Sequence, residues 1–193
     1  MVSLEILGEG EGSPQWSKDD DLLDLTAKIQ VFMNGNPLPV KYFPGGLDVH
    51  LYETTFELLD LLGNIVKVIG AGEKRTESIY QAELCYSGSF LTAQVIDEMT
   101  IRAALQFNPI SVDDDALLAG SSDYQEQVSL ESLATEILSF AISVYETIAD
   151  FNPDLEPSLV DLQSTILDYQ ERLEKEFSIK ILPPVLDDSQ PEL

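Results

Sequence analysis

The hydrophobic period of this chain changes once, near residue 129, and that change restricts the fold more than any other feature. Upstream, apolar residues tend to alternate. In "SIYQAELCYSGSF" (78–90), Tyr80, Ala82, Leu84 and Tyr86 fall on one side and Ile79, Gln81, Glu83 and Cys85 on the other, the pattern of a strand with one apolar face. Downstream, the apolar positions step by three and four. Leu130, Leu133, Ile137, Phe140 and Val144 lead to Phe151; after "NPDLEP" (152–157) the stripe resumes at Leu159, Leu162, Ile166, Tyr169, Leu173 and Phe177. Two helical stripes separated by a short breaker read as an antiparallel helical hairpin. Strands first and helices second give an α+β expectation: a mostly antiparallel β-sheet in the N-terminal part, followed by a C-terminal helical hairpin packed on it. The expected divisions are a β-rich part at 1–107, an acidic connector with a short helix at 108–128, the hairpin at 129–177, and a short strand with a flexible acidic tail at 178–193. Together they form one compact domain.

Within the first part, "KIQVFMNGNPLPVKYF" (28–43) carries a hairpin signal at Asn34-Gly35, and Pro37 and Pro39 push the second run to a sheet edge. "LDVHLYETTFELLDLLGNIVKVIG" (47–70) fits both periods. It is read here as two strands joined at Gly63-Asn64, with a strand followed by a short helix over 55–62 as the alternative. "FLTAQVIDEMTIRAALQF" (90–107) is a further strand-like run ending before Asn108-Pro109.

Charge narrows the function classes. The chain has 35 acidic residues against 10 lysines and arginines, a formal net charge of −25, with 44% hydrophobic residues. Enough apolar residues are present for a core, so high charge here does not mean disorder. Such a field repels nucleic acid and anionic membranes and attracts basic proteins. No segment approaches the roughly 18 apolar residues of a membrane span, and the N-terminus lacks the features of a signal peptide. A cytoplasmic location is expected, without membrane insertion or direct nucleic-acid binding.

Each candidate catalytic or ligand-binding motif has a structural reading beside it. The aspartate runs "WSKDDDLLDL" (16–25) and "ISVDDDALLAG" (110–120) do not alternate, so their carboxylates diverge instead of converging on a cation. In each, a serine stands three residues before an acid, Ser17 with Asp20 and Ser111 with Asp114. That spacing suits a helix start, with Gly120 as the stop of the second helix. "IVKVIGAGEKR" (65–75) superficially resembles a dinucleotide-binding turn, but Arg75 occupies the third glycine position and a strand-like run follows, so Gly70 and Gly72 are read as hairpin-turn residues. His50 is the single histidine and Cys85 the single cysteine, too few for a Cys/His metal site or an intramolecular disulfide. No catalytic residue, cofactor site or metal site is assigned, and the chain is expected not to be an enzyme.

The informative feature is an absence. Between Arg102 and Arg172 there is no lysine or arginine, while the interval holds 14 acids. Glu131, Glu136, Glu146 and Asp150 on the first predicted helix, and Asp161, Asp168, Glu171 and Glu174 on the second, have few or none of the i,i+4 basic partners that exposed helices usually carry. These eight are the expected partner-binding residues. Element order and acidity together are similar in outline to bacterial export chaperones of the SecB type, and "YQAELCYSGSF" resembles one of their strands over about a dozen residues without a diagnostic motif. The expected function is an acidic protein-binding module (adaptor, assembly chaperone or inhibitor) that presents the hairpin to a basic protein partner. A nucleic-acid mimic that inhibits a DNA- or RNA-binding protein is one alternative; a small carboxylate-dependent enzyme is the other. Homo-oligomerisation is compatible with all three.

Overall fold

A computed structural model of the chain describes residues 2–7, 16–33, 35–37, 46–85, 89–106 and 125–181. The class is α+β, with two antiparallel sheets and three helices among these residues. The first sheet is built on β2 (Thr26–Met33). β1 (Ser3–Ile6) pairs along one edge of it, while β3 (Asn36–Pro37) and β4 (Leu47–His50) share the other edge end to end. Met33 pairs with Asn36, and Gly35 between them has φ 74°; Asn34 of the expected turn lies outside the described residues. Alternation then works as the sequence suggests: Leu4, Ile29, Val31, Leu47 and Val49 are buried on one face, while Lys28 and Asp48 pair on the other.

The second sheet is a meander of β5 (Tyr80–Cys85), β6 (Ser89–Val95), β7 (Thr100–Gln106) and β8 (Gln125–Ser129). The strand-like run over 90–107 holds two strands, β6 and β7. The Asp97 carboxylate turns the chain by accepting hydrogen bonds from the Met99 and Thr100 N–H groups. β8 also corrects the connector assigned to 108–128, whose last residues are a sheet edge; residues 107–124, including Ser111, Asp113, Asp114, Asp115 and Gly120, lie outside the described residues. The register places Ala82, Leu91 and Leu105 in one row of the inner face, and Tyr80, Ala93, Ala103 and Glu126 in the next. The outer face carries Gln81 and Gln125 in one row, and Gln94, Arg102 and Gln127 in another.

The largest correction concerns residues 54–69. They belong to a single 20-residue helix, α1 (Leu51–Gly70), and not to two strands. Its buried arc runs through Leu51, Thr55, Leu58, Leu59, Leu62, Ile65, Val66 and Ile69, because one side lies on β5 and β6 and the other meets the C-terminal helices. Burial from two sides fills the gaps in a 3.6 period, and the β-branched Thr54, Thr55, Ile65, Val66 and Val68 add a strand-like bias. The Thr55 hydroxyl returns a 2.6 Å hydrogen bond to the Leu51 carbonyl, so its polar group is satisfied within the helix. Gly72, read as a hairpin turn, instead stops the helix in the left-handed conformation (φ 80°). The N–H groups of Gly72 and Glu73 close back on the Ile69 and Val68 carbonyls.

α2 (Leu130–Phe151) and α3 (Val160–Phe177) form the expected hairpin, joined by a 3-10 helix at Pro153–Leu159. Ser129 caps α2 by accepting from the Ser132 N–H at 3.0 Å. Pro153 begins the 3-10 helix, and the Asn152 side chain caps it by accepting from the Asp154 N–H. The hairpin meets the sheets through α2, which packs on β1 and β8, and otherwise rests on α1. α3 ends at Ser178 (φ 58°), and Ser178–Ile181 do not form the strand expected there. Ile179 donates to the Leu173 carbonyl, and Ile179 and Ile181 are buried against the helical layer's core; residues 182–193 lie outside the described residues. Buried residues from both sheets and all three helices form one contiguous apolar cluster. No helix among the described residues is long and apolar enough to cross a membrane.

Candidate acidic docking face

An amphipathic helix sorts its charged residues to the side away from the core, so the fate of the eight acids follows from how each helix is packed. Glu131, Glu146, Asp150, Asp161, Asp168, Glu171 and Glu174 are exposed. On α2, Glu146 and Asp150 stand one turn apart at the middle of the exposed arc, among Ser139, Ser143 and Thr147. Glu136 is the exception. It is half-buried against β1, where burial raises its carboxyl above the ordinary value, a hydrogen bond with the Ser3 side chain lowers it, and nearby Glu5 raises it again. Glu136 is thus a packing residue of the α2/β1 contact.

The tertiary structure adds acids that the sequence reading left out. Tyr52 of α1 lies near Asp161 of α3, and Asp60 near Tyr169; further along, Gly70 faces Arg172, Glu176 and Phe177. The two helices therefore run parallel. At Gly63 they approach so closely that a Cβ there would overlap the Tyr169 hydroxyl. The exposed side of α1, with Glu53, Glu57 and Asp60, consequently adjoins the flank of α3 that carries Asp161 and Asp168. Read as strands, residues 53–60 could not be assigned to this surface; the i, i+4, i+7 spacing of Glu53, Glu57 and Asp60 was the available signal.

Aromatic rings lie in this seam. The Tyr52 and Phe56 rings meet at a tilt, with centroids 4.9 Å apart and planes at 58°, and both are half-buried, as is Tyr169. Burial raises the Tyr52 phenol above its ordinary value and the Asp161 carboxylate adds to it; burial does the same for Tyr169, assisted by Asp60 and opposed by Arg172. Toward the C-terminal end of α3 the surface becomes mixed in sign, with Arg172 and Glu176 paired at 3.1 Å. The one-signed region is therefore the N-terminal two-thirds of the α1/α3 seam together with the exposed arc of α2.

The other motifs are structural or lie outside the description. The Asp19–Asp21 run follows a reciprocal turn: the Ser17 N–H donates to the Asp20 carboxylate at 2.6 Å, and the Asp19 N–H to the Ser17 hydroxyl at 3.3 Å. It leads into a 3-10 turn, Leu22–Asp24, and not an α-helix. His50 stands at the N-terminus of α1 with its Nδ1 2.8 Å from the Leu23 carbonyl, tying that turn to the helix start. Of the sheet edge near Pro37–Tyr42, only Pro37 is within the described residues. Among the described residues, no group of three His, Cys, Asp or Glu side chains is arranged to hold a metal ion. Comparison with protein-family models, curated proteins and solved structures finds no match to this chain.

Proposed function

We propose that the chain is a non-enzymatic binding module (an adaptor, assembly chaperone or inhibitor) whose acidic helical layer receives a basic protein partner. The observation that carries this reading is the convergence of Glu57 and Asp60 from α1 with Asp161 and Asp168 from α3 around half-buried Tyr52 and Tyr169. Carboxylates steer a basic surface from a distance, and aromatic rings offer lysine and arginine a cation–π contact on arrival. Half-buried tyrosines also supply contact area at low entropic cost, because packing already holds them.

The test is capture of partners from the native host by the immobilised protein, washed at low and then high salt. Basic proteins should be retained at low salt and released at high salt, and a variant with Glu57, Asp60, Asp161 and Asp168 changed to Gln or Asn should retain them poorly. Equal capture by the folded variant would refute the reading. Capture dominated by DNA- or RNA-binding proteins, competed by free nucleic acid, would select the mimic form of the same idea.

A further inference from the structure

The outer face of the β5–β8 sheet differs in charge from the helical layer. Among the described strand residues, the register gathers five glutamines on it (Gln81, Gln94, Gln106, Gln125 and Gln127) with one carboxylate, Glu83, and one cation, Arg102. Arg102 lies in the row of Gln94 and Gln127 and donates to the Gln94 carboxamide at 3.2 Å; the same Gln94 donates to the Thr76 carbonyl, so the row is held in place. Ile79, next to the start of β5, is the most exposed large apolar residue described, at 61%. Phe90, half-buried, belongs to the row of Glu83 and Gln106.

We infer that this face is the interface of a two-fold homodimer in which Arg102 of each copy opposes Glu83 of the other. Two molecules of net charge −25 repel wherever their acidic surfaces meet, so self-association favours a face of near-zero charge. The described strand residues of this face carry one charge of each sign, and a two-fold axis lying in the interface can pair them between copies. Thr92 sits one strand and one side-chain row from both Glu83 and Arg102, so an axis passing over Thr92 places each Glu83 on the other copy's Arg102. Thr92 is buried and its hydroxyl is engaged with the Ala104 carbonyl, leaving a low centre over which larger neighbours can interdigitate. Four strands about 4.8 Å apart and five to seven residues long give a footprint of roughly 20 by 20 Å per copy, which suits a weak, reversible dimer. Because α1 covers the opposite face of this sheet, the dimer leaves the helical layer of each copy free.

Sedimentation velocity on the full chain across a concentration series is the test. The wild type should form dimers that tighten as salt rises from about 50 to about 500 mM, because screening removes the net repulsion. Binding of a basic partner should weaken over the same range, which separates this inference from the function proposed above. Arg102→Glu should weaken the dimer at least about tenfold, since two acids would then face each other at each crossing. The charge swap of Arg102→Glu with Glu83→Lys should return it to within about threefold of wild type. Circular dichroism melting establishes that each variant is folded. A wild type that stays monomeric up to roughly 100 µM, a dimer indifferent to Arg102→Glu, or a folded swap variant that remains monomeric would each overturn the inference.

Discussion

Gly63 sits inside a 20-residue helix, where glycine costs about 1 kcal/mol relative to alanine, because the Tyr169 hydroxyl occupies the space a Cβ would need. Gly63→Ala should therefore destabilise by about 1–2 kcal/mol, overpacking outweighing the gain in helix propensity. Tyr169→Phe in the same molecule should recover most of that loss, since the ring carbon stays at 3.1 Å and needs only a small shift. Urea melts of the two singles and the double measure the coupling, and simple additivity would refute the contact. Glu136 offers a test of sign. Its folded pKa is raised, so the stability it contributes is present below the unfolded value and is lost as pH rises through the folded one. Glu136→Gln should raise the melting temperature at pH 7, and the difference should vanish as pH falls toward about 4. Charge counting could not have separated this residue from its neighbours. Nor could it show that Glu126, another acid of the base-free interval, is 8% exposed on the inner face of β8.

Where an element has one buried side, its period survives in the sequence. α2 and α3 were legible residue by residue, as was β5, because each has a solvent-facing side that admits polar residues at a regular spacing. α1 was not, since it is covered by a sheet on one side and by helices on the other. The hairpin turn was legible only as a breaker. "NPDLEP" stops a helix, but Asn152 also reaches the Lys18 carbonyl at 3.2 Å, and Phe151 packs edge-on against Trp16 with ring centroids 5.0 Å apart. These contacts tie residues 16–18 to the helical layer. Asn152 is 4% exposed and caps Asp154, so Asn152→Ala should cost about 1–2 kcal/mol. Trp16 is the only tryptophan, and its fluorescence should report undocking of the segment as an early transition in denaturant. A variant unfolding in one step at the wild-type midpoint would contradict this.

At the scale of the whole molecule, a net charge of −25 should make stability rise with ionic strength, measurable as an increase in melting temperature with added sodium chloride. Among the described residues, ion pairs that salt would weaken, such as the exposed Lys74–Glu98 pair at 2.7 Å, contribute little. Neutralising Glu146, Asp161 and Asp168, all exposed and off the apolar stripes, should leave the fold intact and slow association with a basic partner mainly through the on-rate, as stopped-flow kinetics at low salt would show. The sequence by itself determined the α+β class, the hairpin, the one-sided strands and the imbalance of charge. Periodicity and composition are local or additive properties of the chain, and burial on one side leaves them visible. Only the tertiary structure decided that residues 51–70 are a helix, that its acids join those of α3, that Glu136 is half-buried and Glu126 buried, and that the glutamines of β5–β8 share one sheet face. Each depends on which segments meet, and the contacts that decide it join residues far apart in the chain.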